Sequence, residues 1–250
     1  MTTTTVAIRP VEELIVTPDP VWPQMQEMIS RSVVPVTVVE ADSATSESAL
    51  FRLQISVGTA LGALVFETGG LLVDHGWLRI LGGGGETDGH RLPDVASVNG
   101  LGDPSEGQQA PAAFTVAYDV LGGRFAVNNG GLPGEGGKVC YWGPDTLEWT
   151  PLGITHTGFV EWALCGMLAQ FYNDLRWSGW EEEVAAVPAD QGLACYPFLF
   201  SAEGRDIAEA LRCPTPFEEL LVLHDDLARQ VAYLPSAPAI RQPRHTLRAV

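Results

Sequence analysis

A glycine-punctuated apolar stretch at residues 61–85 constrains the fold of this chain more than any other part of its sequence. It reads LGALVFETGGLLVDHGWLRILGGGG, with apolar runs interrupted at Gly69-Gly70 and at Asp74-His75-Gly76. Glycine and aspartate between short apolar runs are typical of tight turns that join neighbouring strands. The stretch therefore predicts successive short strands that pair within one sheet.

A second set of predicted strands follows between residues 114 and 149. Its segments are FTVAYDVLG, FAVN, VCYW and LEW, at 114–122, 125–128, 139–142 and 147–149. Asn129-Gly130-Gly131 and Gly143-Pro144-Asp145 supply the turn residues between them, which predicts an antiparallel meander. One earlier β-branched strand is predicted at 34–39.

Helical patterns flank these strands on both sides. Before the strands, apolar residues at helical spacing predict a helix after Asp19 and another from Asp42 or Ser43. After the strands, helices are predicted at 157–175, around 180–187, and at 216–230 behind a Thr-Pro-Phe-Glu capping box. Consecutive strands between helices predict an α+β domain, a mostly antiparallel central sheet with its helices packed mainly on one face.

One folded domain is predicted over residues 17–233. Residues 1–16 are expected to form a loose leader. Residues 234–250, with three arginines, three prolines and no carboxylate, are expected to form a disordered tail. Residues 82–112 are rich in glycine, proline, serine and polar residues, so they predict a long surface loop or an insertion.

The charge balance excludes several classes of partner. The chain carries 31 acidic and 14 basic residues, for a formal net charge of -17. Because binding to nucleic acid or anionic lipid depends on lysine and arginine, neither partner is expected. The excess of carboxylates has two readings: it keeps the protein dispersed in solution, or it forms a surface matched to a basic protein partner.

No segment predicts a membrane span or an export signal. No apolar run approaches the roughly 20 residues needed to cross a bilayer, and the start MTTTTVAIRP lacks the basic and apolar regions of a secretory signal. The cysteines are widely spaced, which favours reduced thiols over a disulfide framework or a zinc site. They are Cys140, Cys165, Cys195 and Cys213. A cytoplasmic protein is therefore expected.

Motifs of catalysis and of cofactor binding are missing from the sequence. The four glycines at 82–85 are not followed by Gly-Lys-Ser/Thr or by a helix start, so they do not predict a phosphate-binding loop. There is no GxSxG elbow and no HExxH zinc helix. A metal site would have to be assembled entirely in space, so neither a metal nor a cofactor is expected.

The first candidate site is a small-molecule pocket at the turn that follows the second apolar run. Its residues are Asp74, His75, Trp77 and Arg79, with Asp119 and Asn128 from neighbouring strands. An aspartate beside a histidine can orient the imidazole as a general base. The alternative is structural, because an aspartate at a tight turn caps its own backbone and a tryptophan packs in the core.

The second candidate site is a partner-binding surface in the segment WSGWEEE. Its residues are Trp177, Trp180, Glu181, Glu182 and Glu183. Two tryptophans beside three carboxylates suit a basic protein partner. The alternative is again local, because carboxylates in the first turn of a helix complement its dipole.

Five ordered segments give the chain a family resemblance. They are LGALVFETGGLLVDHGWLRILG, FAVNNGG, VCYWGPDTLEW, DLRWSGWEEEV and DQGLACYPFL. Together they resemble a bacterial family of unknown function, domain of unknown function 2625, over residues 17–230. More distantly, the order of glycine turns, strands and following helix is similar to the SUKH (Smi1/Knr4-like) superfamily. That resemblance implies an α+β sheet with helices on one side, and many bacterial members of the superfamily are immunity proteins that neutralise toxins.

Three functions are consistent with these patterns. The leading hypothesis is a non-enzymatic cytoplasmic binding protein, with an immunity-like role as its specific form, whose acidic surface meets a basic partner. The second is an enzyme or sensor that uses the pocket around Asp74. The third is a structural subunit that forms a homo-oligomer through an exposed apolar patch. The sequence leaves the oligomeric state and the partner open.

Overall fold

The computed structural model describes residues 7–107 and 109–232. This part of the chain contains eleven strands and nine α-helices. The strands are β1 (Val36–Val39), β2 (Gly70–Val73), β3 (Leu78–Leu81), β4 (Gly85–Thr87), β5 (His90–Leu92), β6 (Ala113–Asp119), β7 (Arg124–Asn128), β8 (Val139–Gly143), β9 (Glu148–Pro151), β10 (Gln191–Tyr196) and β11 (Leu211–Pro216). The helices are α1 (Val11–Leu14), α2 (Trp22–Ser30), α3 (Ser43–Leu53), α4 (Ala60–Glu67), α5 (Val95–Val98), α6 (His156–Leu164), α7 (Met167–Phe171), α8 (Trp180–Ala185) and α9 (Phe217–Ala232).

Seven of the strands form the central sheet, in the order β1-β2-β3-β6-β7-β8-β9. Every neighbouring pair in this sheet is antiparallel. The turns predicted from glycine and Asx residues account for the β2–β3, β7–β8 and β8–β9 pairs, because a strand that returns after a turn runs antiparallel to its neighbour. The β1–β2 and β3–β6 pairs are joined by longer segments that contain other helices or strands. The predicted α+β fold class is confirmed. The likeness to the SUKH superfamily stays a prediction.

Different elements cover the two faces of this sheet. On the first face, the rings of Phe125 and Phe159 of α6 lie 4.8 Å apart, and α6 contacts α2 and α4. On the second face, Tyr118 stacks on Phe217 of α9 at 5.1 Å. β10 joins this second layer, since Leu193 N donates to Val120 O. Most helices therefore pack on the first face, and α9 with the β10–β11 pair covers the second.

The apolar run before Gly69 is a helix, which corrects the strand predicted there. α4 is capped by Thr59, whose side chain accepts a hydrogen bond from Gly62 N. Within the helix, Leu64 and Val65 are fully buried. A short apolar run that is buried on all sides shows no periodicity, so its pattern does not distinguish a strand from a buried helix.

The segment 157–175, predicted as one helix, contains two. α6 ends before Cys165, and Gly166 adopts φ +85°, a left-handed conformation that glycine enters without a Cβ clash. α7 then begins at Met167. The aromatic residues of the predicted stripe still face the core, because Phe159 and Phe171 remain buried on either side of the break.

Residues 82–112 contain regular structure where the composition predicts a surface loop. β4 and β5 form a hairpin, and α5 buries Val95 and Ala96. A Cβ on Gly85 would lie 2.1 Å from the carbonyl oxygen of Glu40, so this glycine permits a close backbone contact that a larger residue prevents. Glycine at this position lets two backbone segments pack closely together. The prediction of a surface loop with little to bury was therefore wrong.

The ends of the predicted domain also differ from expectation. Within the predicted leader, α1 buries Leu14 completely, and Val57 N donates to Leu14 O. Folded structure therefore begins before residue 17. Pro216 belongs to β11, and α9 begins one residue later at Phe217. The predicted tail at 234–250 lies outside the described residues. Within residues 7–107 and 109–232, no helix is long and apolar enough to span a membrane.

Candidate functional site

The first candidate site begins at the turn between β2 and β3. Asp74, His75 and Gly76 all have positive φ, at 55°, 59° and 79°, and Trp77 N donates to Asp74 O at 3.0 Å to close the turn. Aspartate, histidine and glycine are enriched in this left-handed region, so the sequence suits the turn. The turn leaves His75 exposed and places Trp77 inside the protein.

Trp77 lies at the centre of a buried aromatic cluster. Its ring centroid is 5.2 Å from that of Tyr172, 5.8 Å from that of Trp177 and 5.1 Å from that of Trp180. Trp77 has no exposed surface, and its indole N–H has no hydrogen-bond partner among the described residues. Trp77 is therefore a core residue and offers no open ring face to a substrate.

Arg176 joins the two candidate sites that the sequence treats as separate. Its Nη2 donates to Asp74 Oδ2 at 2.5 Å, and its Cζ lies 3.9 Å from the Trp180 ring centroid and 4.8 Å from that of Trp77. The Arg176 and Asp74 side chains are only 11% and 7% exposed. Charge and cation–π attraction therefore stabilise this guanidinium together.

A second arginine makes the same combination nearby. Arg212 Cζ lies 4.2 Å from the Trp177 ring centroid, and Arg212 Nε donates to Glu183 Oε1 at 2.8 Å. Trp177 in turn donates its indole N–H to Glu183 Oε2 at 2.7 Å. Glu183 is therefore paired with Arg212 and Trp177, although its side chain is 37% exposed. We name the combined cluster the arginine–tryptophan corner; it comprises Asp74, Trp77, Arg176, Trp177, Trp180, Glu183 and Arg212.

The corner has an accessible rim formed by His75, Trp180, Glu181 and Glu182. His75 and Glu182 are exposed, and Trp180 and Glu181 are half-buried. The rings of His75 and Trp180 meet edge to face at 5.7 Å. No arginine or lysine in the described range lies within ion-pair distance of Glu181 or Glu182. The rim is therefore negatively charged.

Arg79 lies on the second face of the sheet, beside Phe217 of α9. It donates to Gly76 O at 2.5 Å and to Pro188 O at 3.4 Å, and its Cζ is 5.3 Å from the Phe217 ring centroid. Burial lowers the pKa of Arg79 to about 10, although the carboxylates of Asp119 and Asp190 oppose that shift. Arg79 ties the β2–β3 turn to the segment before β10.

Asp119 anchors the turn between β6 and β7. Its Oδ1 accepts hydrogen bonds from Leu121 N and Gly123 N, and its Oδ2 accepts from the hydroxyls of Tyr141 and Tyr172 at 2.8 and 2.9 Å. Asp119 is fully buried. Several donors on one buried carboxylate offset the cost of removing it from water, so Asp119 has a structural role and holds Tyr172 beside Trp77.

Asn128 organises the loop that follows β7. Its Oδ1 accepts from Gly130 N and Leu132 N. Its Nδ2 donates to the carbonyls of Leu132, Gly134 and Glu135 at 3.0, 3.2 and 3.4 Å. Asn128 is 2% exposed. Its side chain therefore stabilises the loop from a buried position.

The six residues of the predicted pocket are thus distributed over separate structural roles. Asp74, Trp77, Arg79, Asp119 and Asn128 have exposures between 0% and 5%. Of the six, only His75 is exposed, so a substrate would reach the other five only by unpacking the core. The structure brings Asp74, His75 and Trp77 together with Trp177 and Trp180 instead.

Metal-binding and thiol chemistry find little support in the described residues. No three histidine, cysteine, aspartate or glutamate side chains in that range are placed to hold a metal ion. All four cysteines are free. Burial raises the pKa of Cys195 to about 12 and also raises that of Cys140, so both remain protonated thiols at neutral pH.

Sequence reasoning missed the two arginines and Tyr172. Arg176 and its partner Asp74 are 102 residues apart, and Arg212 and Glu183 are 29 residues apart. The only local signal is that Arg176 precedes Trp177 in the segment DLRWSGW. Spacing along the chain does not predict contacts over such separations.

The arginine–tryptophan corner lies in a part of the chain that other proteins share. A family model described as protein of unknown function DUF2625 matches residues 11–220. The chain belongs to this family. The match confirms the resemblance carried by the sequence motifs, and it both starts and ends earlier than the expected range of 17–230.

Two bacterial relatives are similar to most of the chain. The putative uncharacterized protein YbfG of Escherichia coli (strain K12) is 36% identical over 198 residues, which are 77% of this chain and 86% of YbfG. An uncharacterized protein of Haemophilus influenzae (strain ATCC 51907 / DSM 11121 / KW20 / Rd) is 34% identical over 179 residues, which are 71% of this chain and 77% of that protein. No solved structure matches the chain. The function of this DUF2625 member therefore has to be argued from its site.

Proposed function

We propose that this protein is a non-enzymatic cytoplasmic binding protein, and that the rim of the arginine–tryptophan corner binds a basic protein partner. The observation that carries the proposal is the contrast between paired and unpaired carboxylates. Buried Asp74 is paired with Arg176, and partly exposed Glu183 is paired with Arg212. At the rim, the carboxylates of Glu181 and Glu182 have no such cation among the described residues, so their charge is available to a partner.

The interior of the corner also holds the rim in one shape. Arg176 supports Trp180 at 3.9 Å, and Trp77 and His75 meet the same ring edge to face. A half-buried tryptophan with a fixed orientation loses little conformational entropy on binding. Such residues are enriched among those that contribute most to protein–protein affinity.

Further carboxylates extend the negative surface next to the corner. Arg212 donates to Ile207 O at 2.6 Å and to Ala210 O at 2.9 Å, which attaches the segment before β11 to the corner. That segment exposes three carboxylates and one arginine, namely Glu203, Asp206, Glu209 and Arg205. Together with the net charge of -17, this surface attracts a basic partner over distance and disfavours nucleic acid and anionic membrane.

An immunity protein that neutralises a basic toxin is one specific form of this function. The enzyme hypothesis has less support, because five of the six residues of its pocket are buried. His75, the exposed residue of the six, forms part of the rim. Its imidazole and the neighbouring indole of Trp180 offer an aromatic surface that a protein partner can contact.

Affinity capture from the lysate of the native cell tests the proposal, with the tagged full-length chain as bait at about 50 mM and about 300 mM NaCl. The test variant is Glu181→Gln/Glu182→Gln. The matched control is Glu12→Gln/Glu13→Gln, which removes the same charge from the first turn of another short helix.

We expect a basic protein to be captured by the native chain and by the control, and to be lost at higher salt and with the test variant. Equal capture by both variants would show that the rim is not the binding surface. Recovery of no basic protein at either salt concentration would reject the function itself.

A further inference from the structure

The free edge of β1 differs from the other strand edges in the described residues. β1 is an end strand of the central sheet and pairs only with β2. Its sequence, Val-Thr-Val-Val, contains neither a charge nor a proline. Most other edges carry one or both, at Glu148 and Pro151 of β9, Arg212, Pro214 and Pro216 of β11, and Glu86 and Arg91 of the β4–β5 hairpin. β10 also lacks a charge and a proline, but Leu193 N of that strand donates to Val120 O, so its edge is already occupied in part. Charges and prolines are common devices that prevent edge-to-edge association, and β1 lacks both.

The outward backbone groups of β1 belong to Val36 and Val38. Asp74 N donates to Pro35 O at 2.7 Å and Gly69 N donates to Val39 O at 2.9 Å, so the odd-numbered residues direct their backbone groups toward β2. In an antiparallel pair these directions alternate along the strand. Val36 and Val38 therefore direct one N–H and one C=O each away from the sheet, and no hydrogen bond from the described residues reaches them.

Exposed valines lie along the same edge. Val38 is 45% exposed, and Val33, just before the strand, is 71% exposed. Thr37 is also exposed, and Val36 is half-buried. β-branched side chains beside an open row of backbone groups are typical of a strand that accepts another strand.

We infer that β1 pairs antiparallel with β1 of a second copy of this chain, which joins the two sheets across a two-fold axis. Placing Val36 opposite Val38 of the second copy uses every outward group of both strands. Thr37 then faces Thr37 of the second copy at a non-hydrogen-bonded position, where threonine pairs are favourable. A contact of this kind is self-complementary and closes after two copies.

The chemistry of the edge favours a second copy over the basic partner proposed for the corner. Residues 36–39 carry no charge, so the strand offers no carboxylate to a basic segment, whereas a second β1 is equally uncharged and β-branched. A four-residue edge buries far less than the roughly 1,200 Å² of a typical stable interface. The dimer is therefore weak, and its population depends on protein concentration.

Salt separates this contact from the proposed function. Each chain carries a net charge of -17, so two copies repel one another, and screening by salt strengthens their association. Binding of a basic partner at the rim weakens under the same change. The dimer inference is also independent of the rim, because it uses no residue of the arginine–tryptophan corner.

Sedimentation equilibrium of the full-length chain tests the inference, over a wide range of protein concentration and at about 50 mM and about 300 mM NaCl. The test variant is Val38→Lys, which places a charge on the edge. The matched control is Val222→Lys, because Val222 is 56% exposed on α9, away from the edge. A second test variant, Val38→Pro, removes one outward N–H without adding charge.

We expect a concentration-dependent dimer that becomes tighter at higher salt. Its dissociation constant should rise by about tenfold or more in both Val38 variants and stay unchanged in Val222→Lys and in Glu181→Gln/Glu182→Gln. A monomer at every concentration and salt would overturn the inference. So would a dimer that Val38→Lys leaves intact, or one that the rim variant abolishes.

Discussion

Removal of Arg176 should destabilise the protein strongly, because it leaves a buried carboxylate without its counter-charge. The Asp74 side chain is 7% exposed and accepts from Arg176 Nη2 at 2.5 Å. Breaking a buried ion pair by removing one partner costs about 3–5 kcal/mol. The guanidinium also leaves its position against the rings of Trp77 and Trp180, where cation–π contact contributes about 1 kcal/mol.

We therefore expect Arg176→Met, which keeps an apolar stem in place, to lower the free energy of unfolding by about 3–5 kcal/mol. For a domain of this size, each kcal/mol lowers the thermal midpoint by about 2–4 °C, so the midpoint should fall by about 6–20 °C. Urea unfolding followed by tryptophan fluorescence measures the free energy, and calorimetry measures the midpoint. The control is Arg31→Met, whose ion pair with Glu27 is 77% and 59% exposed and should contribute less than about 1 kcal/mol.

A double variant decides whether the buried charge is the cause. Asp74→Asn/Arg176→Met removes both charges, and asparagine suits the φ of 55° at this position. We expect the double variant to be more stable than the sum of the two single losses predicts. A single loss below about 1 kcal/mol, or strict additivity of the two, would refute the reasoning from an unpaired buried carboxylate.

Two further predictions concern α9 and two histidines: His224 is buried, and His156 is half-buried with both ring nitrogens removed from solvent. Burial lowers the pKa of His156 and of His224 from 6.5 to about 4. The unfolded chain therefore binds protons that the folded chain does not, and this contribution to stability is complete above pH 6.5 and lost as the pH falls toward 4. Urea unfolding across this range should show the loss, and His224→Phe should reduce its slope; an unchanged slope would contradict the assignment. Gly122→Ala should cost about 2–4 kcal/mol, because Gly122 has φ +82° and a Cβ would lie 2.7 Å from His224 Cε1. Gly153→Ala has a similar φ of +75° and nothing within 4 Å of the Cβ, so it should cost only about 1 kcal/mol in the same assay, and equal costs would rule out the steric cause.

Local signals account for the parts of the fold that were predicted. Asp42 caps α3 through a hydrogen bond from Thr45 N, as a helix start at that position requires. The turn residues at Asp74-His75-Gly76 and at Gly143-Pro144-Asp145 separate strands that pair directly. Short turns force antiparallel neighbours, so these signals predict the β2–β3 and β8–β9 pairs without any knowledge of tertiary contacts.

Parts whose conformation depends on distant contacts were not predicted. β10 and β11 pair with each other across an intervening segment, and neither shows a regular alternation of apolar and polar residues. The glycines at 82–85 are used for close backbone packing against β1 and Thr68, which composition does not distinguish from a loop. In each case the deciding contact joins residues far apart in the chain, so no local pattern reports it.

The candidate site divides in the same way. The sequence by itself identified the residues of the corner that belong to local patterns, because turn residues, tryptophans and an acidic run can be recognised without a structure. These residues are Asp74, His75, Trp77, Trp180 and the three glutamates. Only the tertiary structure decided which of them are accessible. Arg176 pairs with buried Asp74, Arg212 pairs with partly exposed Glu183, and Glu181 and Glu182 stay unpaired at the rim. The physical reason is that burying a charge requires a partner, and that partner is supplied by folding from a distant part of the chain.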